Sequence, residues 1–484
     1  MSSPGRPPRR ALPIAMLTAL AAVPAIGLAG TWQYAEANLP PPTTTTTTTL
    51  PPPPVGRLNT ALLSLRRHPT PLAERVAEVD SAEAFMKRVE VLGNDVGEAS
   101  CFRLVDDTDL VAELNAELPV IPASNQKLLV AAVALDVLGT DYRFRTELQS
   151  PPPTAGVIAG DVYVVGGGDP VLRTAEVPDP LRYPSFNTTR FEALVDRIVF
   201  LGITAIDGNI IGDGSRYDDE FRAPSWGSDI TSIDAGPYDA LLVNDGLIAN
   251  GNYGLDPSRS AARIFYDMVV ARGITITGSP ANESRPVDAG FTTLALVESR
   301  LLTEVLVEML HTSDNNTAEM LVKEIGYITA GQGTRVAGLG AIRATLVGWG
   351  VPLDGVELHD GSGLSRDNRI TCAALTAIMS STPVSDELRD LLPVAGRDGT
   401  LARELLGTQA EGRLQAKTGT LTDVKALTGS LPSDSRVQVD FSLVLNGEGV
   451  DQPAEYEPVW KRVVALIDDY PIVIEPDLEP FTPR

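Results

Sequence analysis

Residues 128–138 read Leu-Leu-Val-Ala-Ala-Val-Ala-Leu-Asp-Val-Leu, with a single charge, and Gly139 closes the run. A helix that is apolar on all sides has to be enclosed by other elements, so this stretch predicts a central buried helix ending at the glycine. Pro122 and Ala123 lead into Ser124, which places a hydroxyl at the helix N-terminus, where the macrodipole favours developing negative charge. Lys127 follows one turn on, on the same face. Taken alone, Ser124-Asn-Gln-Lys127 reads first as a helix cap beside a solvated lysine.

Two further short patterns follow in order, Ser313-Asp-Asn315 and Lys417-Thr-Gly419. The first falls between helical stretches at 298–310 and 317–325, in a turn that leaves backbone and side chains available. The second precedes strand-like runs at 427–431 and 437–446, and a closing helix is expected over 457–470. A serine hydroxyl is a poor nucleophile until a neighbour takes its proton. Lys127 can take it when neutral, a state that burial and a nearby positive charge such as Lys417 both favour. Ser313 can relay a proton to a leaving amine, and Asn315 can hold Lys127 and donate to a substrate carbonyl. Lys417 and Thr418 can hold a terminal carboxylate, while Gly419 removes a side chain where substrate must lie against the strand. The backbone N–H groups of Ser124 and Thr420 would form an oxyanion hole, a contribution of roughly 3–4 kcal/mol per donor. Each pattern also has a plainer reading: Ser, Asp and Asn favour turns, Asp314 above all, and a lysine on a hairpin strand is ordinary.

The 484 residues allow two to four domains at about 100–200 residues each. Hydrophobic content of 43% with 21% charged is ordinary globular composition. A net charge of −24 opposes nucleic acid or an anionic lipid surface as the main partner. Cys101 and Cys372 cannot form a paired-cysteine zinc site. In an oxidising compartment they could join across a long loop, but spacing supports two buried thiols equally well.

Residues 1–38 carry a basic head (Arg6, Arg9, Arg10) and an apolar run without charge over 11–35, the pattern of an export signal. The run is long enough to span a bilayer, which favours an uncleaved anchor, although Ala35-Glu-Ala37 is an acceptable cleavage site. Residues 39–70 include seven consecutive threonines flanked by prolines and predict an extended stalk. The body begins near Pro71, with a helix over 72–92 and a strand and turn over 99–110. Between 148 and 295 short strands (161–165, 205–211, 240–243) alternate with turns, and helices are expected only over 190–201 and 258–272. The expected division is a catalytic domain of 71–147 and 296–484, interrupted by a mostly-β insertion of 148–295.

The three patterns in this order are the signature of penicillin-interacting serine acyltransferases and β-lactamases. The chain resembles the D-alanyl-D-alanine carboxypeptidase/endopeptidase branch of the low-molecular-mass (class C) penicillin-binding proteins over about residues 75–470. Pro122-Ala-Ser-Asn-Gln-Lys-Leu-Leu129, Gly160-Asp-Val-Tyr-Val-Val-Gly-Gly-Gly-Asp-Pro170, Gly208-Asn-Ile-Ile-Gly-Asp213, Asp360-Gly-Ser-Gly-Leu-Ser365 and Lys417-Thr-Gly-Thr-Leu421 carry that resemblance. It implies an α+β penicillin-recognising fold, an antiparallel sheet flanked by helices. It also implies hydrolysis of the terminal D-Ala-D-Ala bond or of peptide cross-links in peptidoglycan, inhibition by β-lactam antibiotics, and no metal or cofactor. By the same resemblance Ser124 is the acyl-ester nucleophile, Lys127 the proton acceptor, Ser313 and Asn315 the second wall, and Lys417 with Thr418 the carboxylate site.

Three rivals are weaker. A β-lactamase would need a group for rapid deacylation, and no counterpart can be assigned, so slow release of penicillin is expected. A Ser-His-Asp hydrolase would need glycines where Asp360 and Leu364 flank Gly361-Ser-Gly363. A non-catalytic peptidoglycan-binding scaffold would be free to lose Lys127 or Lys417, and both are present.

Overall fold

The computed structural model describes residues 70–470, apart from 176–185, 228–229, 231–233, 249–251, 288–289 and 434–436. The expected export segment (1–38) and stalk (39–70) lie outside the described residues, except residue 70.

The chain opens with α1 (Thr70–Val96), the hairpin β1 (Cys101–Asp106) and β2 (Asp109–Leu114), and α2 (Gln126–Leu138). Next come β3 (Arg145–Ser150), β4 (Val157–Ile158), β5 (Val162–Val165), β6 (Leu172–Arg173) and β7 (Thr189–Arg190). Helix α3 (Glu192–Phe200) leads to β8 (Ala205–Ile206) and β9 (Ile210–Asp213), and α4 (Pro257–Ala271) to β10 (Thr275–Ile276), β11 (Pro280–Asn282) and β12 (Thr292–Glu298). Five helices follow: α5 (Leu302–Thr312), α6 (Asn315–Ala330), α7 (Arg335–Gly348), α8 (Cys372–Ser380) and α9 (Ser385–Asp390). Strands β13 (Gln415–Leu421), β14 (Val424–Pro432) and β15 (Gln438–Asn446) and helix α10 (Pro453–Asp468) complete the order.

The main sheet has the order β13-β14-β15-β1-β2 and is antiparallel throughout. Residues 424–431 of β14 are all buried, as a strand covered on both faces must be. Alternation assigns the two covers. Ala426 and Val444, paired in register, join the core around α2, whereas their neighbours Leu427 and Leu443 join the one around Trp460 of α10. On that second side α1 contributes Phe85, Val89, Leu92 and Val96, spaced to line one helix face. On the first side α2 is buried from Gln126 to Leu135, as its composition requires, and α5, α6, α7 and α8 supply the surrounding apolar groups.

A disulfide joins Cys101 at the start of β1 to Cys372 at the start of α8, their Cα atoms 5.9 Å apart. It ties the sheet to the helical layer across 271 residues of sequence.

Between α2 and α5 lies a second sheet, β11-β9-β5-β3-β12, in which β12 runs antiparallel to β3 from Arg145↔Glu298 to Ser150↔Thr292. Its other half is parallel: β9 pairs with both β5 and β11 in that sense. Helix α3, with Phe191 at its N-cap, and helix α4 pack on it through Phe191, Leu194, Ile198, Ala262 and Phe265. The segment is therefore more α/β in character than a mostly-β reading.

Two local expectations change. Residues 240–243 form no strand; Leu241 and Val243 enter the core of the second sheet while Ala240 and Leu242 enter a separate cluster with Tyr217, Trp226 and Tyr238. The period-two pattern is real, but it records burial on two sides, and the Ala240 carbonyl accepts an isolated bond from Gly168 N–H (2.9 Å). Likewise Glu298 ends β12, paired with Arg145 at 3.0 Å, and the helix starts at Leu302.

Candidate active site

The approach to α2 is a 3-10 turn, Ala123–Asn125, anchored to the main sheet by Asn125 Nδ2 donating to Thr428 Oγ1 (2.7 Å). Two glycines pinch it. A Cβ on Gly419 would lie 2.9 Å from Pro122 O and 3.1 Å from Ser124 N, and one on Gly363 would lie 1.9 Å from Ala123 O. Side chains at either position would push the turn away, so the missing side chain of Gly419 admits Ser124 to the edge of β13. This packing role was not visible in the sequence, where Gly419 suggested room for substrate.

Lys127 is fully buried and its amine lies 3.0 Å from Ser124 Oγ. It donates to Asn315 Oδ1 and to the Ser362 carbonyl, both at 2.7 Å. A neutral amine has two N–H donors and one lone pair. The two shorter contacts use both donors, which leaves the lone pair toward the Ser124 hydroxyl. Burial lowers Lys127 to about 8, against the opposing charges of Asp360, Asp314 and Glu319. Burial, rather than repulsion by Lys417, is therefore what lowers Lys127.

Ser313 ends α5 in the left-handed conformation (φ 62°), and Asp314 opens α6 as its N-cap, accepting from Thr317 N–H at 2.6 Å. That reversal carries Asn315 into the site, where its Nδ2 donates to the Asp234 carbonyl (2.6 Å) and so turns its Oδ1 toward Lys127. Across the site, Lys417 Nζ donates to Ser313 Oγ and to the Thr418 carbonyl, each at 2.9 Å. Its pKa is driven far below the ordinary lysine value, first by burial and then by the charges of Lys127 and Lys425. Thr418 Oγ1 donates to Thr400 Oγ1 (2.8 Å), and Lys425 Nζ donates to Thr420 Oγ1 (3.1 Å). Two hydrogen-bonded groups thus form, Ser124–Lys127–Asn315 and Ser313–Lys417, with the charge of Lys127 acting on Lys417. Thr418, Gly419 and Thr420 follow along β13 beside them.

The loop 360–365 completes the lysine's surroundings and was assigned no part in this chemistry from sequence. Asp360 is buried and accepts from Gly363 N–H (2.9 Å), Ser365 N–H (2.6 Å), Asn368 Nδ2 (2.7 Å) and Trp226 Nε1 (2.8 Å). This holds the turn that presents the Ser362 carbonyl to Lys127. Among the described residues no group of three or more His, Cys, Asp or Glu is arranged to hold a metal ion.

The chain is similar in sequence and fold to several known proteins. A D-alanyl-D-alanine carboxypeptidase from Actinomadura sp. (strain R39) is 29% identical over 417 residues, covering 69% of this chain and 74% of its own. Carboxypeptidase DacB of Mycolicibacterium smegmatis is 30% identical over 362 residues, covering 71% and 76%. The crystal structure of penicillin binding protein 4 (dacB) from Haemophilus influenzae shares the fold with a TM-score of 0.69 at 20% identity, over 79% of this chain and 99% of that one. The sequence pattern of the D-Ala-D-Ala carboxypeptidase 3 (S13) family matches residues 90–253 and 254–465, and the chain belongs to that family.

Proposed function

We propose that this protein is a serine-type D-Ala-D-Ala carboxypeptidase/endopeptidase acting on peptidoglycan stem peptides through an acyl-enzyme on Ser124. The observation that carries the proposal is the Lys127 amine 3.0 Å from Ser124 Oγ, with Asn315 and the Ser362 carbonyl taking two donors, so that the neutral amine has a lone pair to offer Ser124 Oγ. Lys127 takes the Ser124 proton as Oγ attacks the carbonyl of the penultimate D-Ala. The oxyanion is received by the N–H groups of Ser124 and Thr420. The proton held by Lys127 is relayed through the Ser313 hydroxyl, already bonded to Lys417, to the leaving amine as the C–N bond breaks, and water later hydrolyses the ester. Lys417 and Thr418 receive the terminal carboxylate, whose charge supplies a counter-ion that buried Lys417 does not have among the described residues.

A β-lactam would acylate the same serine and leave slowly. Glu319, the buried carboxylate beside the lysine loop, has both oxygens engaged by backbone N–H groups, which argues against its use as a water-activating base. The 148–295 segment is read as a domain inserted into a catalytic unit of 71–147 and 296–484. Residues 1–38 are read as an export segment, either retained as a membrane anchor or cleaved to release a secreted enzyme, with 39–70 as a stalk; either way the enzyme lies outside the cytoplasmic membrane. Among the described residues no helix is long and apolar enough to cross a membrane.

Intact-mass spectrometry after incubation with benzylpenicillin, with peptide mapping, tests the reading. One stable adduct on Ser124, absent in Ser124→Ala, is the expected result. No adduct and no hydrolysed penicillin would favour the peptidoglycan-binding scaffold, and rapid turnover would favour a β-lactamase.

A further inference from the structure

Glu319 stands four residues beyond Asn315 on α6, one turn along the same face. Asn315 reaches Lys127 directly, and Glu319 reaches it through a loop. Its carboxylate is only 1% exposed and accepts from Gly361 N–H (3.0 Å to Oε1, 3.1 Å to Oε2) and from Ser362 N–H (2.7 Å to Oε1). The carbonyl of that same Ser362 is the second acceptor of the Lys127 amine, at 2.7 Å. One helix therefore fixes both acceptors that set the direction of the lysine lone pair, one by a side chain and one by a held peptide.

Burying a carboxylate is costly, and a fold selected for stability alone does as well with apolar groups of similar volume. Here two buried carboxylates, Glu319 and Asp360, grip one six-residue loop. Resting on the acyl-enzyme reading above, we propose that Glu319 is a positioning residue for Lys127, fixing the Ser362 carbonyl and opposing the amine by its charge. It is not a catalytic residue, because its hydrogen bonds go to the loop and none to Ser124.

The electrostatics run the same way. The groups acting on Lys127 are Asp360, Asp314 and Glu319, each favouring its protonated form, with Lys417 the neighbouring cation. Glu319 in turn is held up at about 7 by burial and then by Asp360, with Tyr238 and Arg335 also in its field. Removing the Glu319 charge takes away a partner that favours protonated Lys127, so the amine becomes neutral at lower pH.

The experiment follows the rate of Ser124 acylation by benzylpenicillin against pH in the full chain, for wild type, Glu319→Gln and Glu319→Asp. In Glu319→Gln the acid limb is expected to move to lower pH, with a lower plateau because the Ser362 peptide is less firmly held. A residue that merely braces the fold would lower the plateau and leave the limb in place; that result overturns the proposal. Glu319→Asp keeps the charge but withdraws it from the two N–H groups. It should acylate at least several-fold more slowly with its limb near the wild-type position, and wild-type rates at every pH would overturn the proposal even if Glu319→Gln fails to fold. A wild-type protein that takes no adduct on Ser124 would instead refute the acyl-enzyme reading on which this rests.

Discussion

Lys417 Nζ lies 2.9 Å from Ser313 Oγ, so two motifs separated by 104 residues of sequence meet in one hydrogen bond. With Lys127 and Ser124 at 3.0 Å on the other side, the site holds two buried lysines, each against a serine hydroxyl. They differ in what surrounds them. Lys127 is faced by three carboxylates, while Lys417 is acted on chiefly by burial and other cations. The carboxylates work against the burial that lowers Lys127, whereas no such partner offsets burial at Lys417 among the described residues.

The first prediction concerns pH. Lys127 must be neutral to accept a proton, and it is lowered to about 8. Acylation should therefore be slow in acid and rise as pH passes through about 8, where the amine loses its proton. Lys127→Ala should remove most of the acylation rate at every pH, and stopped-flow or quenched-flow acylation by a chromogenic β-lactam reads both effects.

Much of this site was legible because residue types announced it. The apolar run after Ser124 left the helix nowhere but the core, and Asp314 at an N-cap is what a Ser-Asp-Asn turn suggests. Backbone roles were not legible. The Ser362 carbonyl and the hydrogen-bonding duties of Asp360 arise from a loop whose sequence specifies turns and glycines, not acceptors for a distant lysine. The disulfide was left open because pairing depends on Cα separation, which spacing along the chain does not supply. Helices α7 and α8 were passed over although Thr334 and Thr371 cap them, accepting from Ala337 N–H and Ala374 N–H. Those threonines were the readable signal.

Gly419→Ala isolates positioning from chemistry. The added methyl would meet Pro122 O at 2.9 Å and Ser124 N at 3.1 Å, both backbone atoms that cannot rotate away. Either β13 or the Ser124 turn must shift, and a displacement of about 1 Å at a nucleophile can cost on the order of 100-fold. Overpacking should lower stability by about 1–3 kcal/mol, so the variant remains folded. A cooperative melt together with wild-type acylation would show that the turn does not depend on this close approach.

The Cys101–Cys372 bond closes a loop of 271 residues between sheet and helical layer. Its loss should lower stability by about 2–5 kcal/mol, chiefly through the greater freedom of the unfolded chain. Thermal or urea unfolding of the Cys101→Ser, Cys372→Ser double variant, compared with reduced and oxidised wild type, measures this. Because neither cysteine is among the groups surrounding Lys127, acylation below the melting transition should stay close to wild type.

Trp226 tests whether the 148–295 segment helps to build the site rather than only flanking it. Its indole N–H donates to Asp360 Oδ2 at 2.8 Å, and the same oxygen accepts from Ser365 N–H, so one side chain from this segment braces the loop that presents Ser362 to Lys127. Trp226→Phe keeps much of the apolar ring and removes the donor. A buried hydrogen bond to a charged group is worth about 1.5–3 kcal/mol, and the loop should loosen by that measure. The expected result is a several-fold slower acylation by benzylpenicillin, with the other bonds to Asp360 preserving the fold. Slower acylation at an unchanged melting temperature would place the effect in the loop; an unchanged rate would show that Ser365, Gly363 and Asn368 hold Asp360 well enough without the indole.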